Sequence, residues 1–298
     1  MLVVEQALRV ARETDDLIAI VGPTASGKTM LAVALAEQLG GEVVSSDSVQ
    51  IYRGFDVGSG KPTGEEQARA PHHLVSAIEP LDGIDAASWA ERASRMIGDI
   101  RNRARVPIVC GGTFLWVKAL LFGLAGAPGA SPVVRAQHRA IAQQEGRMAL
   151  HARLRAVDAE SAARLHPNDL TRVSRALEVY ELSGKAMSHW QQAHAFAQVR
   201  HRARLLAVAH DATDLTARIR ARVSTWLAQG WVDEVESLLA RGYGSARAMG
   251  SVGYAQVRAM LEGGLPREEL ALAVVRATRT FARRQRTWLR HADVTWLS

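Results

Sequence analysis

Apolar positions fall into two patterns along this chain. Short stretches at 17–21, 42–46, 73–76 and 106–110 each hold adjacent apolar residues. Runs of that length, rich in Val and Ile, predict buried strands. Between them the apolar residues space out. Leu31, Leu35 and Leu39 recur every four positions, which puts them on one face of a helix over 28–39. Similar spacing predicts helices at 86–103 and 113–122, and a short one at Val3–Glu13. Strands alternating with helices over the first 125 residues imply a parallel sheet covered on both faces.

The pattern then changes. The stretch 123–132 is rich in Gly, Pro and small residues and reads as a linker. From Val133 to about His194 the spacing is helical throughout, broken at His166-Pro167-Asn168-Asp169, where the proline stops a helix and an Asx residue can cap the next. Strand character returns at Arg204–Ala209. Helices follow at 213–228, 231–241, 251–262 and 266–290, then a last strand, Val294–Leu297. This order predicts an α/β core made of residues 1–125 and 200–298, carrying an all-helical insertion at 126–199. In the last helix, Arg276, Arg279, Arg283, Arg286 and Arg290 are spaced 3, 4, 3, 4 and form one stripe, with no acid from Arg276 to His291. Such a stripe favours a phosphate-bearing ligand over a solvated face. Val274, Phe281 and Trp288 recur every seven residues on another face, which is expected to pack in the core.

The first strand runs into Gly22-Pro23-Thr24-Ala25-Ser26-Gly27-Lys28-Thr29, and a helix follows. This is a complete G-x-x-x-x-G-K-T phosphate loop in the strand–turn–helix setting that gives the motif its meaning. Gly22, Thr24, Ala25, Ser26 and Gly27 are the expected diphosphate cradle, with Lys28 supplying charge and the Thr29 hydroxyl placed for Mg²⁺. The fold class is therefore α/β, a P-loop NTPase-like parallel sheet flanked by helices. One part of an ATPase is missing. The strand at 106–110 ends in Gly111-Gly112-Thr113 without the metal-holding acid such enzymes carry. Asp47, just past the second strand, is the acid best placed near the loop.

Composition changes the picture in three places. A net charge of +7 and a pI near 10.1 point to a polyanionic partner, although an arginine-rich composition alone raises the pI. Only four of the 37 basic residues are lysines: Lys28, Lys61, Lys118 and Lys185. Lys28 and Lys61 sit in turns, which hints that a compact charge is wanted there. The single cysteine, Cys110, excludes an internal disulfide and reads as a small buried residue. No apolar run approaches a membrane span and no secretory signal is evident, so a cytoplasmic monomer is expected.

Taken together, these residues resemble the tRNA dimethylallyltransferase family, which prenylates an adenosine beside the anticodon. The resemblance rests on GPTASGKT at 22–29, SSDSVQIYRGFDVGSGKPT at 45–63, PHHL at 71–74 and GGTFLWVKALLFGL at 111–124. It continues through LHPNDLTRVSRALEVYELSGK at 165–185, SVGYAQ at 251–256 and ATRTFARRQRTWLR at 277–290, in the family's order. It implies transfer of a dimethylallyl group from dimethylallyl diphosphate to the exocyclic amine of adenosine 37, with Mg²⁺ as cofactor. It implies catalytic roles for Asp47, Thr113 and Arg222, with Asp47 as general base and Arg222 on the leaving diphosphate. It implies tRNA contacts from Asp47, Ser48, Val49, Gln50, Thr113, Arg135, Thr171, Arg172, Val173, Ser174 and Arg175. The insertion at 126–199 would then contact the anticodon stem. Ser131, Thr171, Trp116 and Val117 depart from the family's usual residues.

Bland readings stand beside these. Asp47 fits an outer ligand of Mg²⁺, Thr113 a helix cap, and Arg222 has Arg218 and Arg220 close by. The Gly58–Pro62 turn fits either a phosphate contact or punctuation. A metabolite kinase of the phosphate-loop class shares the loop and Asp47 but leaves the basic insertion and the arginine stripe unexplained. A non-catalytic RNA-binding module leaves the intact Lys28, Thr29 and Asp47 unexplained.

Overall fold

The computed structural model describes residues 2–298, which divide into two compact units. The larger comprises residues up to Leu121 together with Arg200–Ser298; the smaller is Phe122–Val199.

The larger unit is built on six strands: β1 (Leu17–Val21), β2 (Gly41–Ser45), β3 (His72–His73), β4 (Val106–Gly111), β5 (Ala203–Val208) and β6 (Val294–Leu297). Their order is β3-β2-β4-β1-β5-β6, and every pairing is parallel. The central strand β1 pairs Ile20 with Cys110 of β4 on one side and Leu206 of β5 on the other. All five of its residues are buried, as its unbroken apolar run requires of a strand covered on both faces. Helices α1 (Leu2–Arg12) and α2 (Lys28–Leu39) cover one face, where Leu31, Leu35 and Ala7 join Ile18, Ile20, Val43 and Ile108 in one core. Before the smaller unit the chain adds α3 (Gly64–Arg69), α4 (Ala86–Asn102) and α5 (Phe114–Phe122, its last residue falling in the smaller unit).

Three elements differ from the sequence reading. The strand expected at 73–76 shrinks to His72–His73, because Leu74 and Ser76 take positive φ (60° and 48°), which no strand accommodates. Helix α3 was not foreseen, although Thr63 and Glu66 spell a capping box and bond reciprocally at its start. The helix expected over 266–290 begins with a 3₁₀ turn at Arg267–Glu269 and continues as an α-helix only from Leu270.

The smaller unit is all-helical: α6 (Pro132–Gln144), α7 (Arg147–Val157), α8 (Ala159–Arg164), α9 (Leu170–Ser183) and α10 (Met187–His194). Leu150, Leu154, Val173, Ala176 and Leu177 form its core. Glu178 on α9 is fully buried yet satisfied. It accepts a fork from Arg135 (Nε and Nη2, both 2.9 Å), one bond from Arg175 Nη1 (2.6 Å) and one from the Ser131 amide (2.6 Å). Arg175 also donates to the carbonyls of Pro128 (2.6 Å) and Gly129 (3.3 Å), so one carboxylate and one guanidinium pin the linker to α9.

Burial alone would raise the pKa of Glu178, but the two arginines and the Ser131 amide outweigh it and hold the carboxyl below the usual glutamate range. Its contribution to stability is therefore present above the ordinary glutamate pKa and lost as pH falls through the lowered value. Glu178→Ala should destabilise by about 3 kcal/mol, the low end for breaking a buried pair, since both arginines reach water once released. Urea unfolding followed by circular dichroism checks this. Glu178→Gln should flatten the loss of stability below about pH 4 relative to the parent. An acid profile identical to the parent's would remove Glu178 from this role.

After the smaller unit the chain returns through β5 to α11 (Ala212–Ala228), α12 (Trp231–Ala240), α13 (Tyr254–Leu261) and α14 (Leu270–Leu289).

Candidate active site

A parallel sheet gathers its connecting loops at the carboxyl ends of the strands. Here the loops after β1, β2 and β4 meet helices α11 and α14 around a cleft of about 720 Å³. The loop after β1 is the phosphate loop. Gly27 closes it at φ 83° and leads directly into α2, so the helix amino end opens into the cleft. Ala25 also takes a positive φ, 67°, a strained state for a residue with a Cβ, and such strain persists only where the surroundings enforce it. They do so through four side chains. Lys28 Nζ donates to Pro23 O (2.8 Å), Gln285 Oε1 accepts from the Thr24 amide (2.8 Å), and Arg218 Nε donates to Ala25 O (3.0 Å). His210 Nε2 donates to Ser26 O (2.9 Å), since a carbonyl only accepts, while its Nδ1 faces Asp214 Oδ2 at 2.7 Å.

The loop is ringed by cations. Lys28 is half-buried. Burial pushes its ammonium pKa below the ordinary lysine value; Arg222 adds to this, and Asp47 opposes it. Arg222 extends from α11 to within 3.3 Å of Thr24 Oγ1, with its guanidinium 5.3 Å from the centre of the Trp226 ring. Burial and then Arg218 lower its pKa as well. Among the described residues no carboxylate forms an ion pair with Lys28, Arg218 or Arg222. Positive charge held this way, unneutralised and at Lys28 and Arg222 half withdrawn from water, favours an anion.

The acceptor side lies on the loops after β2 and β4. Asp47 Oδ1 accepts from the amides of Val49 (2.8 Å) and Gln50 (3.2 Å), which closes a tight turn and fixes the carboxyl at the cleft wall. Thr113 precedes α5, but its hydroxyl does not cap that helix. It accepts from the Ser48 amide at 3.1 Å and lies 3.4 Å from Ser48 Oγ, so the two loops are joined. The Gln50 side chain is turned inward, donating to the carbonyls of Ser59 (3.2 Å) and Gly60 (2.9 Å).

Around this cleft one sequence expectation needs correction, and the others acquire partners. Lys61 donates to Tyr52 O (2.5 Å), Asp56 (2.6 Å) and Ser76 Oγ (2.8 Å), using its three protons to tie the 52–61 loop together. The turn at 58–62 is thus braced from within, and Glu234 receives the amides of Asp56 (2.9 Å) and Val57 (2.6 Å). His72 and His73 turn to different partners, the Ala70 carbonyl and Glu42. Phe281 and Trp288 are not core residues. Phe281 lines the cleft, while Trp288 stacks on Phe114 with centroids 6.4 Å apart, under the ammonium of Lys118. Cys110 is buried, and burial pushes its thiol up to about 11, out of reach of thiolate chemistry.

The structure gathers Gly22's successors Thr24 to Thr29 with Asp47, Ser48, Val49, Gln50, Thr113 and Arg222 around one cleft. In the helical unit, Thr171 and Arg172 are exposed, Arg172 lying 3.6 Å from Asp169. The side chain of Val173 lies in the core, and Ser174 is buried against His138 at 2.9 Å, so neither side chain is available at that unit's surface. Arg135 and Arg175 are engaged with Glu178, and only their outer edges reach solvent. Sequence reading named Arg218 only as a neighbour of Arg222, and missed Trp226, His210 and Gln285. Arg218 and Trp226 had a signal, since Arg218, Arg222 and Trp226 stand at intervals of four on one helix face.

This fold and site define an α/β phosphate-loop protein with a cation-lined cleft beside a carboxylate. The IPP transferase family model matches residues 50–292. The chain is 68% identical over 283 residues to a tRNA dimethylallyltransferase of Sorangium cellulosum, covering 95% of this chain and 90% of that protein. It is 46% identical over 275 residues to one from Geobacter sulfurreducens, covering 92% and 88%. The solved tRNA isopentenylpyrophosphate transferase of Bacillus halodurans is similar at a TM-score of 0.70 and 35% identity, covering 95% of this chain and 90% of that one. The chain belongs to the IPP transferase family of tRNA dimethylallyltransferases, enzymes that transfer a dimethylallyl group to adenosine 37 of tRNA.

Proposed function

We propose that the phosphate loop holds the diphosphate of dimethylallyl diphosphate, and that Asp47 takes a proton from the exocyclic amine of adenosine 37 as that nitrogen is alkylated. The observation that carries this reading is the set of unpaired cations on a strained loop, with a carboxylate on the neighbouring wall and no acid at the end of β4. The amine lone pair attacks the allylic carbon of the donor. The carbon–oxygen bond breaks, its electrons leave with the diphosphate, and Asp47 accepts the proton. An adenine amine is a poor nucleophile because its lone pair is delocalised, so a base in reach matters. Negative charge grows on the departing oxygen. The loop amides, Lys28 and Arg222 are fixed in place before it appears, which is how such charge is best stabilised.

Mg²⁺ fits this site in company with the donor. Thr29 and Asp47 are oxygen ligands of the kind it takes, and Mg²⁺ is usually held by one or two carboxylates plus substrate phosphates. When bound, it would supply further charge neutralisation to the diphosphate. Adenine within a stacked loop cannot reach the cleft and must be extruded to enter it. Arg172, and the outer edges of Arg135 and Arg175, are our proposed phosphate contacts for the anticodon stem.

Nucleoside mass spectrometry of unmodified tRNA incubated with the protein and dimethylallyl diphosphate tests the reading, with ATP as a parallel donor. Prenylated adenosine in the first arm and negligible ATP turnover in the second are expected. Steady ATP turnover without a prenylated product would falsify it and favour a kinase.

A further inference from the structure

Gln285 lies on α14, far along the chain from both loops of the site, and it touches each of them. Its side chain is almost entirely buried, 5% exposed. Oε1 accepts from the Thr24 amide at 2.8 Å, and Nε2 donates to the Gly112 carbonyl at 3.0 Å. One amide thus clamps the diphosphate loop with one end and the strand end preceding Thr113 with the other. An amide is the side chain that can do this, since it carries an acceptor and a donor on one rigid plane. The approach is close enough to dictate its neighbour. A Cβ on Gly112 would fall 2.4 Å from Gln285 Nε2, and the glutamine, pinned at both ends, has nowhere to retreat.

We propose that Gln285 is a positioning residue that sets the distance between the donor loop and the acceptor loop. It also fixes which loop amides face the ligand. The Thr24 N–H is spent on Gln285 and is withheld from phosphate, which leaves the following amides to converge on the anion. Thr24 carries the hydroxyl that meets Arg222, so the strut also sets where that guanidinium is anchored. Transfer requires the allylic carbon and the adenine nitrogen to meet at about 3–3.5 Å, and a misplacement of about 1 Å between their cradles is worth roughly a hundredfold in rate. The strut therefore acts on the joining step more than on either ligand's binding. This inference rests on the proposed prenyl transfer at this site.

Single-turnover transfer at saturating donor and tRNA tests it, in Gln285→Met, Gln285→Glu and Gly112→Ala. Gln285→Met keeps the bulk and removes both bonds. Gln285→Glu keeps the acceptor for Thr24 but sets an oxygen against the Gly112 carbonyl. Gly112→Ala displaces the glutamine from the other side. Each should keep full product amplitude, bind tRNA within about threefold of the parent, and transfer about 10- to 100-fold more slowly. The Gln285→Met/Gly112→Ala double variant should be little slower than either single one, because both remove one interaction. A parent-like rate, additive losses in the double variant, or reduced amplitude at an unchanged rate would each overturn the proposal, the last by marking the residue as merely structural. If Gln285→Met does not fold, Gln285→Glu and Gly112→Ala decide by the same criteria. No product from the parent enzyme would instead overturn the proposed transfer itself.

Discussion

Asp47→Asn should bind both substrates nearly as the parent does and lose transfer by at least about a hundredfold, the range for removing a positioned general base. The structure makes this a clean substitution. Oδ1 of Asp47 closes its turn by accepting from the Val49 and Gln50 amides, and asparagine keeps that oxygen. What it loses is the charge and the second basic oxygen. The loop after β2 should keep its shape, and Thr113 should keep its bond to the Ser48 amide, which does not depend on the carboxylate. Donor affinity separates this role from that of an outer ligand of Mg²⁺. A base acts on the amine, so the deficit persists at saturating Mg²⁺ and donor. A metal ligand acts on the diphosphate, so its loss weakens donor binding and is recovered as Mg²⁺ rises. Single-turnover rates across a Mg²⁺ titration measure the difference, and recovery to near the parent's rate would reassign Asp47 to the metal.

Much of this architecture was legible in the sequence because its signals are local. The run Leu17–Val21 leading into G-x-x-x-x-G-K-T fixes a strand, a turn and a helix within thirteen residues of chain, and nothing outside can rewrite them. Asp47 was legible for the same reason, as an acid just past a strand end. What sequence could not reveal depends on non-local packing. Phe281 and Trp288 keep perfect core periodicity with Val274, yet only Val274 is buried, because α14 turns that face towards the cleft as it passes α5. Periodicity tells which residues share a face, not what the face meets. The turn carrying Lys61 fitted either a phosphate contact or punctuation, and the partners of Lys61 at Tyr52, Asp56 and Ser76 come from a loop whose path no spacing announces. Gln285 is the clearest case. A glutamine on an arginine-rich helix carries no signal of its own, and its meaning exists only where two loops from strands β1 and β4 come within reach.

Arg222→Ala should slow transfer by about 10²–10³-fold and weaken donor binding, while leaving tRNA affinity and its salt dependence almost unchanged. The expected magnitude is that of losing one fixed donor to developing negative charge. Arg222 suits that task because its charge is kept without a counter-ion, oriented by Trp226 below and Thr24 beside it, and burial already raises the cost of holding it. An arriving diphosphate relieves that cost, so binding and charge stabilisation reinforce each other at one guanidinium. Arg172→Ala should do the opposite. Its side chain is exposed on the helical unit, 3.6 Å from Asp169, so it has no buried charge to relieve. As a phosphate contact, its removal should weaken tRNA binding alike across sequences and reduce the slope of log affinity against log salt by about one unit, somewhat less on a single-stranded segment. Saturating rates should stay near the parent's. Titrating tRNA binding against salt for both variants, with donor affinity measured in parallel, separates the two surfaces. A salt slope that drops in Arg222→Ala, or one that holds in Arg172→Ala, would show that the phosphate-bearing ligands are divided between these arginines differently from this assignment.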